Sequence, residues 1–248
     1  MKQTSHVFLV CALARLLRER RHIAVGSNSP IPGTAALLAR ELSGGATRVE
    51  ILGSRKYCSF TGLGDLFDCA SRGRLDAFFL SPGQIDGQAN INMVGIGDYP
   101  NLNVRWPGGH GSPLLYLMVP NIILFRHDHR SRTLVPKVDF VTAPGISEPN
   151  IYRPGGPTDL LTGMAHFTFD RNRGRFSLDS VHPGYTADAI VENTGFDFDF
   201  PDVVPVTPNP DPNMVALIRE RVAAQIAELY PNFSDSLSES VLQYELSA

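Results

Sequence analysis

The spacing of apolar and polar residues predicts that helices alternate with strands along the first third of the chain. Residues Thr4–Arg20 repeat their apolar positions with a helical period and predict an amphipathic helix. Short apolar runs predict strands at His22–Gly26, Val49–Leu52 and Leu75–Leu80. Two more helices are predicted, Thr34–Leu42, capped by Thr34 after a turn at Pro30–Gly33, and Gly64–Ser71. This alternation predicts an α/β fold, an open mixed or parallel sheet with helices on both faces.

The rest of the chain is predicted to add strands, one hairpin and two helices. Pro120 separates two apolar segments, Leu114–Val119 and Asn121–Phe125. The elements predicted after them are a buried strand at Val138–Thr142, a hairpin of His166–Asp170 and Arg175–Val181 around Asn172–Gly174, a helix at Asp188–Thr194, an extended arm at Phe200–Pro212 and a last helix at Asn213–Leu229. We predict one domain over residues 1–231 and a polar, mobile tail over residues 232–248.

A glycine- and asparagine-rich stretch, Ser81–Gly111, lies between two strongly apolar segments. It holds seven glycines and four asparagines but only three charged residues. Its apolar residues, such as Ile91 and Trp106, allow it to be buried, unlike a flexible linker. Because glycine lets the backbone approach a ligand closely, we interpret this stretch as part of a binding site.

Composition narrows the classes of function. A net charge of −3 and a pI near 6.1 argue against nucleic acid or an anionic membrane as the main partner. The chain has three cysteines, an odd number, and they form no metal-binding motif. We therefore expect reduced thiols in a cytoplasmic protein. The apolar run Val7–Leu17 carries its positive charge after the apolar core rather than before it, which is not the order of a secretion signal.

Three segments, taken in order, resemble the β subunits of family I coenzyme A transferases of the glutaconate type. The first runs from Gly83-Gln-Ile-Asp86 through Asn90-Ile-Asn92 to Gly97-Asp98. The second is Val138–Gly145 and the third is Ile190–Asp199. The resemblance covers about residues 5–225. It implies the open α/β sheet of these enzymes and an α subunit of similar fold, in an αβ or α2β2 complex with the active site between the two chains.

The resemblance also implies a glutamate nucleophile on the β subunit, at a strand end before a Cys-Ser pair. Counting back from Cys58-Ser59, that position is Leu52 in this chain. Glu50 lies two residues earlier, which moves its carboxylate by about 6–7 Å along a strand. Nucleophilic attack needs contact within about 3–3.5 Å, so Glu50 is not a substitute. A leucine forms no acyl intermediate, and the ordinary transferase route is expected to be closed.

A branch of this family that departs in the same way is that of the heterodimeric ring-cleaving hydrolases of bacterial steroid degradation. The resemblance to it implies opening of the last cyclohexenone ring of a sterol-derived CoA thioester by water, with the catalytic base on the α subunit. We also keep open a CoA transferase of an unusual kind and a non-catalytic scaffold subunit. In each case CoA belongs to the substrate, and neither a separate cofactor nor a metal is expected.

The predicted catalytic residues of this chain are Arg126 and Gln84. Arg126 ends an apolar strand and is suited to a carboxylate, either of the substrate or of the partner. The predicted substrate-binding residues are Gly83, Asp86, Asn90, Gly108, Gly109, Gly53 and Ser54, whose N–H groups or side chains provide donors and acceptors. For Asp86, capping of a turn is an equal alternative.

The remaining chemical motifs favour structural roles. The His127-Asp-His129 spacing is compatible with a metal, but no third ligand is near in sequence, and we interpret the segment as a solvated loop. Cys58, beside Arg55 and Lys56, is interpreted as a structural thiol.

Overall fold

The structure, a computed structural model, describes residues 4–247. Its helices are α1 His6–Leu16, α2 Pro30–Leu42, α3 Leu63–Ser71, α4 Ser112–Met118, α5 Ala187–Asn193, α6 Pro212–Leu217, α7 Ala223–Ile226 and α8 Pro231–Ser247, with one π-helical turn at Ile218–Val222. Its strands are β1 His22–Val25, β2 Arg48–Ile51, β3 Ala77–Leu80, β4 Gln84–Ile85, β5 Ile91–Asn92, β6 Gly95–Ile96, β7 Val104–Arg105, β8 Asn121–Arg126, β9 Pro157–Thr162, β10 Ala165–Asp170 and β11 Arg175–Val181. The predicted α/β class is confirmed.

The chain divides into two compact units. Unit 1 comprises residues 1–66, 74–79 and 208–248, and unit 2 comprises residues 67–73 and 80–207. The single domain expected over residues 1–231 stays a prediction. No helix among the described residues is long and apolar enough to cross a membrane, and the cytoplasmic location also stays a prediction.

Unit 1 is built on parallel strands. β1 pairs with β2 from His22↔Arg48 to Val25↔Ile51 and with β3 at Ile23↔Ala77, all in parallel. The strands are short and almost wholly buried, as expected of a parallel sheet that helices cover. Helices α1 and α2 pack on each other through apolar side chains. Parallel strands bring their carboxyl ends to one edge, where α/β proteins bind ligands.

The tail expected to be mobile is instead an ordered helix of unit 1. Pro231 begins α8 rather than ending the preceding helix, because proline is well suited to the first helical turn. Leu237 and Val241, four residues apart on one helical face, are fully buried. Ser240 accepts a hydrogen bond from the backbone N–H of Val7, at 3.4 Å, which ties α8 to α1. The predicted mobility was therefore wrong.

Unit 2 holds a mixed arrangement of strands in the order β11-β10-β9-β8. β8 and β9 are parallel, whereas β9, β10 and β11 are antiparallel neighbours. The predicted hairpin around Asn172–Gly174 is confirmed as β10–β11, and Gly174 adopts a φ of 63° at its turn. The core of unit 2 contains a group of aromatic rings in edge-to-face and stacked contact: Phe167, Phe176, Phe196 and Phe198.

Two local predictions were wrong for identifiable reasons. Pro30–Gly33 is not a turn but the first turn of α2, with Ser29 at the N-cap, and Thr34 donates to the carbonyl of Pro30 at 2.8 Å instead of capping the helix. Val138–Thr142 forms no strand. That segment is held by separate hydrogen bonds rather than by a ladder, since Gln84 accepts from the N–H of Asp139, the hydroxyl of Thr142 accepts from the N–H of Met93, and the N–H of Thr142 donates to the carbonyl of Ile91.

Candidate functional site

The end of β2, where the resemblance implies a nucleophile, carries no free carboxylate among the described residues. Leu52 follows the strand, is half-buried and donates its N–H to the carbonyl of Val25. Gly53 comes next with a φ of 94°, a left-handed conformation that favours glycine. The chain therefore turns sharply just after Leu52.

Glu50, the nearest acid before that turn, is fully engaged. It is 2% exposed. Its Oε1 accepts from Nε of Arg48 at 2.7 Å and from the hydroxyl of Ser59 at 2.8 Å, while Oε2 accepts from the N–H of Ser59 at 2.6 Å. Burial tends to raise the pKa of Glu50, but these hydrogen bonds and the charge of Arg48 outweigh it and hold the pKa below its usual value. Glu50 is a structural carboxylate.

Ser54 completes the same turn through an acidic partner. Its hydroxyl donates to Glu228 at 2.6 Å and accepts from the N–H groups of Lys56 and Tyr57 at 3.2 and 2.9 Å. Glu228 also accepts from the N–H of Arg55 at 2.9 Å. The hydroxyl of Ser54, which was predicted to bind substrate, therefore forms its hydrogen bonds within this turn. A role of Gly53 and Ser54 in substrate binding stays a prediction.

The end of β8 differs. Arg126 is half-buried at the carboxyl end of a parallel strand, opposite Thr162 at the end of β9. Its Nε is buried and finds no hydrogen-bond partner among the described residues. Burial lowers the pKa of Arg126 from its ordinary value, and the charge of Asp128 opposes that effect. Buried donors are nearly always paired in native proteins, so an unpaired one at a strand end indicates a place for a ligand.

The loop after Arg126 is anchored by a buried histidine, and the solvated loop expected for this segment was wrong at His129. This ring is 4% exposed. Its Nδ1 lies 2.7 Å from the hydroxyl of Thr162 and its Nε2 lies 3.0 Å from the hydroxyl of Thr194. The partners are hydroxyl groups, so His129 is fixed by hydrogen bonds within the fold.

The glycine-rich stretch forms the hairpin β4–β5, and Gln84 lies buried at its start. Oε1 of Gln84 accepts from Nδ2 of Asn92 at 2.7 Å and from the N–H of Asp139 at 3.0 Å. These two donors fix which end of the amide is oxygen. The Nε2 group of Gln84 then has no acceptor among the described residues. The side-chain oxygen of Gln84 thus stabilises the local fold, and its side-chain nitrogen is an available hydrogen-bond donor.

Asp86 and Asn90 form the turn of this hairpin. Oδ1 of Asp86 accepts from the N–H groups of Gln88 and Asn90, each at 3.0 Å, and Oδ2 accepts from the side chain of Asn90 at 3.0 Å. Oδ1 of Asn90 accepts from the N–H of Gly145 at 3.1 Å. Both side chains also line a cavity of about 640 Å³. The turn-capping alternative for Asp86 is thus confirmed, and contact of either residue with substrate stays a prediction.

The predicted glycines differ in what they require. A side chain at Gly83 would collide with the indole of Trp106, whose nearest atom lies 2.2 Å from the Cβ position. A side chain at Gly109 would meet Thr142 at 2.8 Å. Gly108 adopts a φ of 100°. The N–H groups of Gly108 and Gly109 donate to no other described residue, so they remain available to an anionic oxygen.

Comparison with known proteins identifies the family. The family model described as coenzyme A transferase matches residues 8–193. The chain belongs to the coenzyme A transferase family. The match covers β1, β2 and β8, and therefore both strand ends.

Three relatives are each named as one subunit of an enzyme. The chain is 34% identical to the B subunit of 3-oxoadipate CoA-transferase of Pseudomonas knackmussii over 56% of this chain and 55% of that protein. It is 33% identical to the B subunit of glutaconate CoA-transferase of Acidaminococcus fermentans over 58% and 56% of the two chains. The cholesterol ring-cleaving hydrolase IpdB subunit of Rhodococcus jostii is 28% identical over 62% of each. The matched region thus spans little more than half the length of these curated relatives.

Solved structures of the family share the fold. The decarboxylase AibA/AibB matches with a TM-score of 0.74 and 25% identity over 95% of this chain and 99% of that chain. IpdAB of Rhodococcus jostii matches with a TM-score of 0.74 and 23% identity over 89% and 94% of the two chains. The predicted coenzyme A transferase type of α/β fold is confirmed.

Sequence reasoning missed the threonines and histidines around Arg126. Thr162, Thr194 and His182 lie far apart in sequence. Thr162 ends β9, a strand that was not predicted, whereas Thr194 ends the predicted helix Asp188–Thr194 and His182 follows the predicted strand Arg175–Val181. The one usable signal was the resemblance at Glu192-Asn-Thr-Gly195, which contains Thr194. Gly195 donates its N–H to the carbonyl of Leu134, and a side chain at Gly195 would lie 2.5 Å from that oxygen.

Proposed function

We propose that this chain is the β subunit of a two-subunit hydrolase that opens the last steroid-derived cyclohexenone ring of a CoA thioester by breaking a C–C bond. The observation that carries the proposal is the end of β2. Leu52 stands at the nucleophile position, and Glu50 is held by three hydrogen bonds. A chain with this strand end is unsuited to forming a glutamyl-CoA thioester, which favours direct attack by water.

The reaction balances with water as the only co-substrate. A base on the α partner removes a proton from water, and the oxygen bonds to the ring carbonyl carbon that is β to the thioester carbonyl. The adjacent C–C bond then breaks, and its electron pair moves onto the α carbon as a thioester enolate. The proton taken by the base returns to that carbon. The product is a ring-opened CoA thioester with a new carboxylate.

This chain contributes donors for the two oxyanions that develop. The guanidinium of Arg126 suits the oxygen of the tetrahedral adduct, or the carboxylate that forms from it. Nε2 of Gln84 and the N–H groups of Gly108 and Gly109 suit the enolate oxygen or the CoA thioester carbonyl, since none of them has an acceptor among the described residues. The reaction needs no cofactor, because CoA is part of the substrate.

The similarity to two C–C-cleaving enzymes supports the proposal. IpdB is called a cholesterol ring-cleaving hydrolase subunit and AibA/AibB a decarboxylase. Decarboxylation and hydrolytic ring opening both break a C–C bond and leave a carbanion to be stabilised. A donor arrangement without a covalent nucleophile suits either reaction.

Oxygen-isotope labelling tests the proposal. The chain is co-expressed with its α subunit and incubated with a cyclic β-keto-acyl-CoA in H₂¹⁸O. Mass spectrometry is expected to show one ¹⁸O in the new carboxylate of a product that still carries CoA. Transfer of CoA to a free carboxylic acid, with no ¹⁸O in a ring-opened product, would contradict it.

The second candidate function is CoA transfer between an acyl-CoA and a carboxylic acid. The observation that favours it is the identity of 34% and 33% to the B subunits of two transferases, against 28% to the hydrolase subunit. It requires a carboxylate that forms a thioester, and hydroxylamine traps such an intermediate as a hydroxamate. A hydroxamate on either chain, formed only with acyl-CoA present, selects this function.

A further inference from the structure

Five hydrogen-bonding side chains of unit 2 form one largely buried network beside the strand end that carries Arg126: those of His129, Thr162, His182, Thr194 and Thr207. Thr162 is the register partner of Arg126 across the parallel pair β8–β9. Its hydroxyl contacts Nδ1 of His129, and its carbonyl contacts Nε2 of His182 at 3.0 Å. Thr162 and His182 are fully buried. None of the predicted site residues takes part in this network, and the proposed reaction does not use its two histidines.

The partners of the network fix the tautomer of each histidine. Nε2 of His182 faces a carbonyl and must carry the proton, so Nδ1 accepts from the hydroxyl of Thr207 at 2.9 Å. The hydroxyl of Thr194 donates to the carbonyl of Ile190 at 2.7 Å. Nε2 of His129 therefore donates to Thr194. The oxygen of Thr162 already accepts from the N–H groups of Met164 and Ala165, so its hydroxyl donates, and Nδ1 of His129 at 2.7 Å is a nearer acceptor than the carbonyl of Ala165 at 3.1 Å. The hydrogen bonds are thus donated from Thr162 through His129 to Thr194 and Ile190, and from Thr207 through His182 to the carbonyl of Thr162.

Both rings are neutral at ordinary pH. Burial, with a smaller contribution from the neighbouring His182, lowers the pKa of His129 to about 4. Burial likewise lowers the pKa of His182 to about 4. A neutral ring is required for Nδ1 of His129 to accept from Thr162, so the direction of the network holds near neutral pH.

The short loop after Arg126 is held from two sides. On one side, His129, which lies three residues after Arg126, is hydrogen-bonded to Thr162. Gly163 allows the carbonyl of His127 to approach so closely that a side chain there would lie 2.4 Å from that oxygen. The backbone on the carboxyl side of Arg126 is thus fixed against the β9–β10 turn, whereas the Nε of Arg126 itself has no partner among the described residues.

We propose that His129 is a positioning residue, which acts through its hydrogen bond from Thr162 to fix the loop after β8 and so to aim the guanidinium of Arg126. The proposal rests on the proposed function for the chemistry of Arg126, but the aiming itself is a property of this chain. A guanidinium whose Nε has no partner among the described residues depends on its backbone for its position, and a misplacement of about 1 Å costs up to about 100-fold in rate.

Two substitutions at one position separate the two nitrogens of the ring. His129→Asn places an amide oxygen near the position of Nδ1 and retains the bond from Thr162. His129→Gln places an amide nitrogen near the position of Nε2 and retains the bond to Thr194 instead. Both remove an aromatic ring from the same buried place, so their thermal unfolding measures the shared structural cost, and the difference between them isolates the bond to Thr162.

The aiming is read directly from the ¹H–¹⁵N resonance of the Arg126 Nε group in the full chain with its partner. We expect His129→Gln to shift or broaden this resonance and His129→Asn to leave it close to its native position. An unchanged resonance in both variants, or equal changes in both, overturns the proposal. This readout does not depend on the reaction, so it stands if the complex proves to have another activity.

The activity readout is a double-substitution cycle. We expect His129→Gln to lower kcat/KM by about 10- to 100-fold, mainly through kcat, and His129→Asn by less than about 3-fold. In an Arg126→Ala background the effect of His129→Gln is expected to shrink to less than about 2-fold, because the residue through which it acts is gone. The same fold loss in both backgrounds shows a merely structural role and overturns the proposal.

Discussion

The carboxyl ends of β2 and β8, each described within its own unit, differ in how their polar groups are satisfied. At the end of β2, the carboxylate of Glu50 and the hydroxyl of Ser54 each take part in three hydrogen bonds. At the end of β8, Nε of Arg126 is buried with no partner among the described residues. The family resemblance implies chemistry at the first strand end, whereas the unsatisfied donor indicates it at the second.

The difference teaches how to separate structural from functional polar groups in this fold. A buried group whose bonds are all made within the chain stabilises the native state, and its loss costs stability. A buried donor left without a partner costs stability and persists where a ligand completes it. We therefore expect substitutions at the end of β2 to change stability, and substitutions at the end of β8 to change activity.

The largest expected effect is that of Arg126→Ala on catalysis. Loss of a charged donor to a developing oxyanion lowers kcat by about 100-fold or more. The free energy of unfolding is expected to stay the same or rise slightly, because an unsatisfied buried donor is removed. Steady-state kinetics and urea unfolding of the co-expressed complex measure the two quantities.

Arg126→Lys is the matched control for charge. It retains the positive charge but not the planar fork of donors, and it is expected to recover only part of the activity. If the complex of Arg126→Ala assembles and retains native activity, the chain is a scaffold subunit and the contrast between the strand ends is lost.

Next in size is the effect of Glu50→Gln on stability. The substitution removes the buried negative charge to which Arg48 and Ser59 donate their hydrogen bonds. We therefore expect the free energy of unfolding to fall by about 3 kcal/mol. Because the pKa of Glu50 is lowered in the native state, its contribution is present above pH 5 and is lost as the pH falls through the native pKa. Urea unfolding between pH 7 and pH 3 is expected to show a weaker pH dependence in Glu50→Gln.

Glu50→Gln also tests catalysis at the end of β2. A structural carboxylate predicts that kcat of the folded variant stays within about 3-fold of native. A loss of several hundred-fold in a complex that remains folded would return the chemistry to β2.

A smaller effect is expected from the ion-paired histidine of unit 2. His166 on β10 lies between Asp159, at 2.8 Å from Nε2, and Asp179, at 3.0 Å from Nδ1. Burial tends to lower the pKa of His166, but the two carboxylates outweigh it and raise the pKa to about 9. The buried charge of His166 is thus paired on both sides, in contrast to Nε of Arg126, which has no partner among the described residues.

The sign of the pH dependence follows from a raised native pKa. The contribution of His166 is full below about pH 6.5, the unfolded value, and is lost as the pH rises through 9. The loss is on the order of 2 kcal/mol between pH 6 and pH 10. His166→Gln is expected to flatten this change in urea unfolding, and an equal pH dependence in both proteins would show that the imidazolium is not formed.

The smallest effect is expected from Ser54→Ala. It leaves the N–H groups of Lys56 and Tyr57 and the carboxylate of Glu228 without one partner each, at a cost of about 1 kcal/mol. Water can replace the lost bonds at Lys56 and Glu228, which are exposed. A rise in KM of more than about 10-fold, with stability unchanged, would instead assign Ser54 to the substrate.

Local patterns predicted much of the fold. The hairpin at Asn172–Gly174 follows from a turn sequence between alternating strands, and β1 and β2 follow from short apolar runs. The tail was missed because Leu237 and Val241 are isolated apolar residues in a polar segment, and their burial depends on α1 and α7. The strand predicted at Val138–Thr142 failed because no ladder runs along it: the N–H of Asp139 donates to the side chain of Gln84, and the N–H of Thr142 donates to the carbonyl of Ile91 on β5 at the other end.

The candidate site was predicted only in part. Arg126 was predicted as a site residue because a charge that ends an apolar strand is visible in sequence; the structure shows its buried Nε without a partner among the described residues, and its role stays a prediction. For Asp86 the sequence left turn capping and ligand binding open, because a turn-capping aspartate and a binding aspartate have the same local sequence; the structure shows the turn contacts of Asp86 and Asn90, and their contact with substrate stays a prediction. The partners of His129 were not predictable, since Thr162 and Thr194 are brought to it by tertiary packing alone.

The most direct test of the contrast is to trap a covalent intermediate on this chain. The native complex is incubated with acyl-CoA, treated with hydroxylamine or borohydride, digested and mapped by mass spectrometry over residues 48–59. We predict that Glu50 stays unmodified and that the substrate is still converted. A hydroxamate or a reduced side chain at Glu50, dependent on acyl-CoA, would contradict the account and restore the end of β2 as the site of nucleophilic attack.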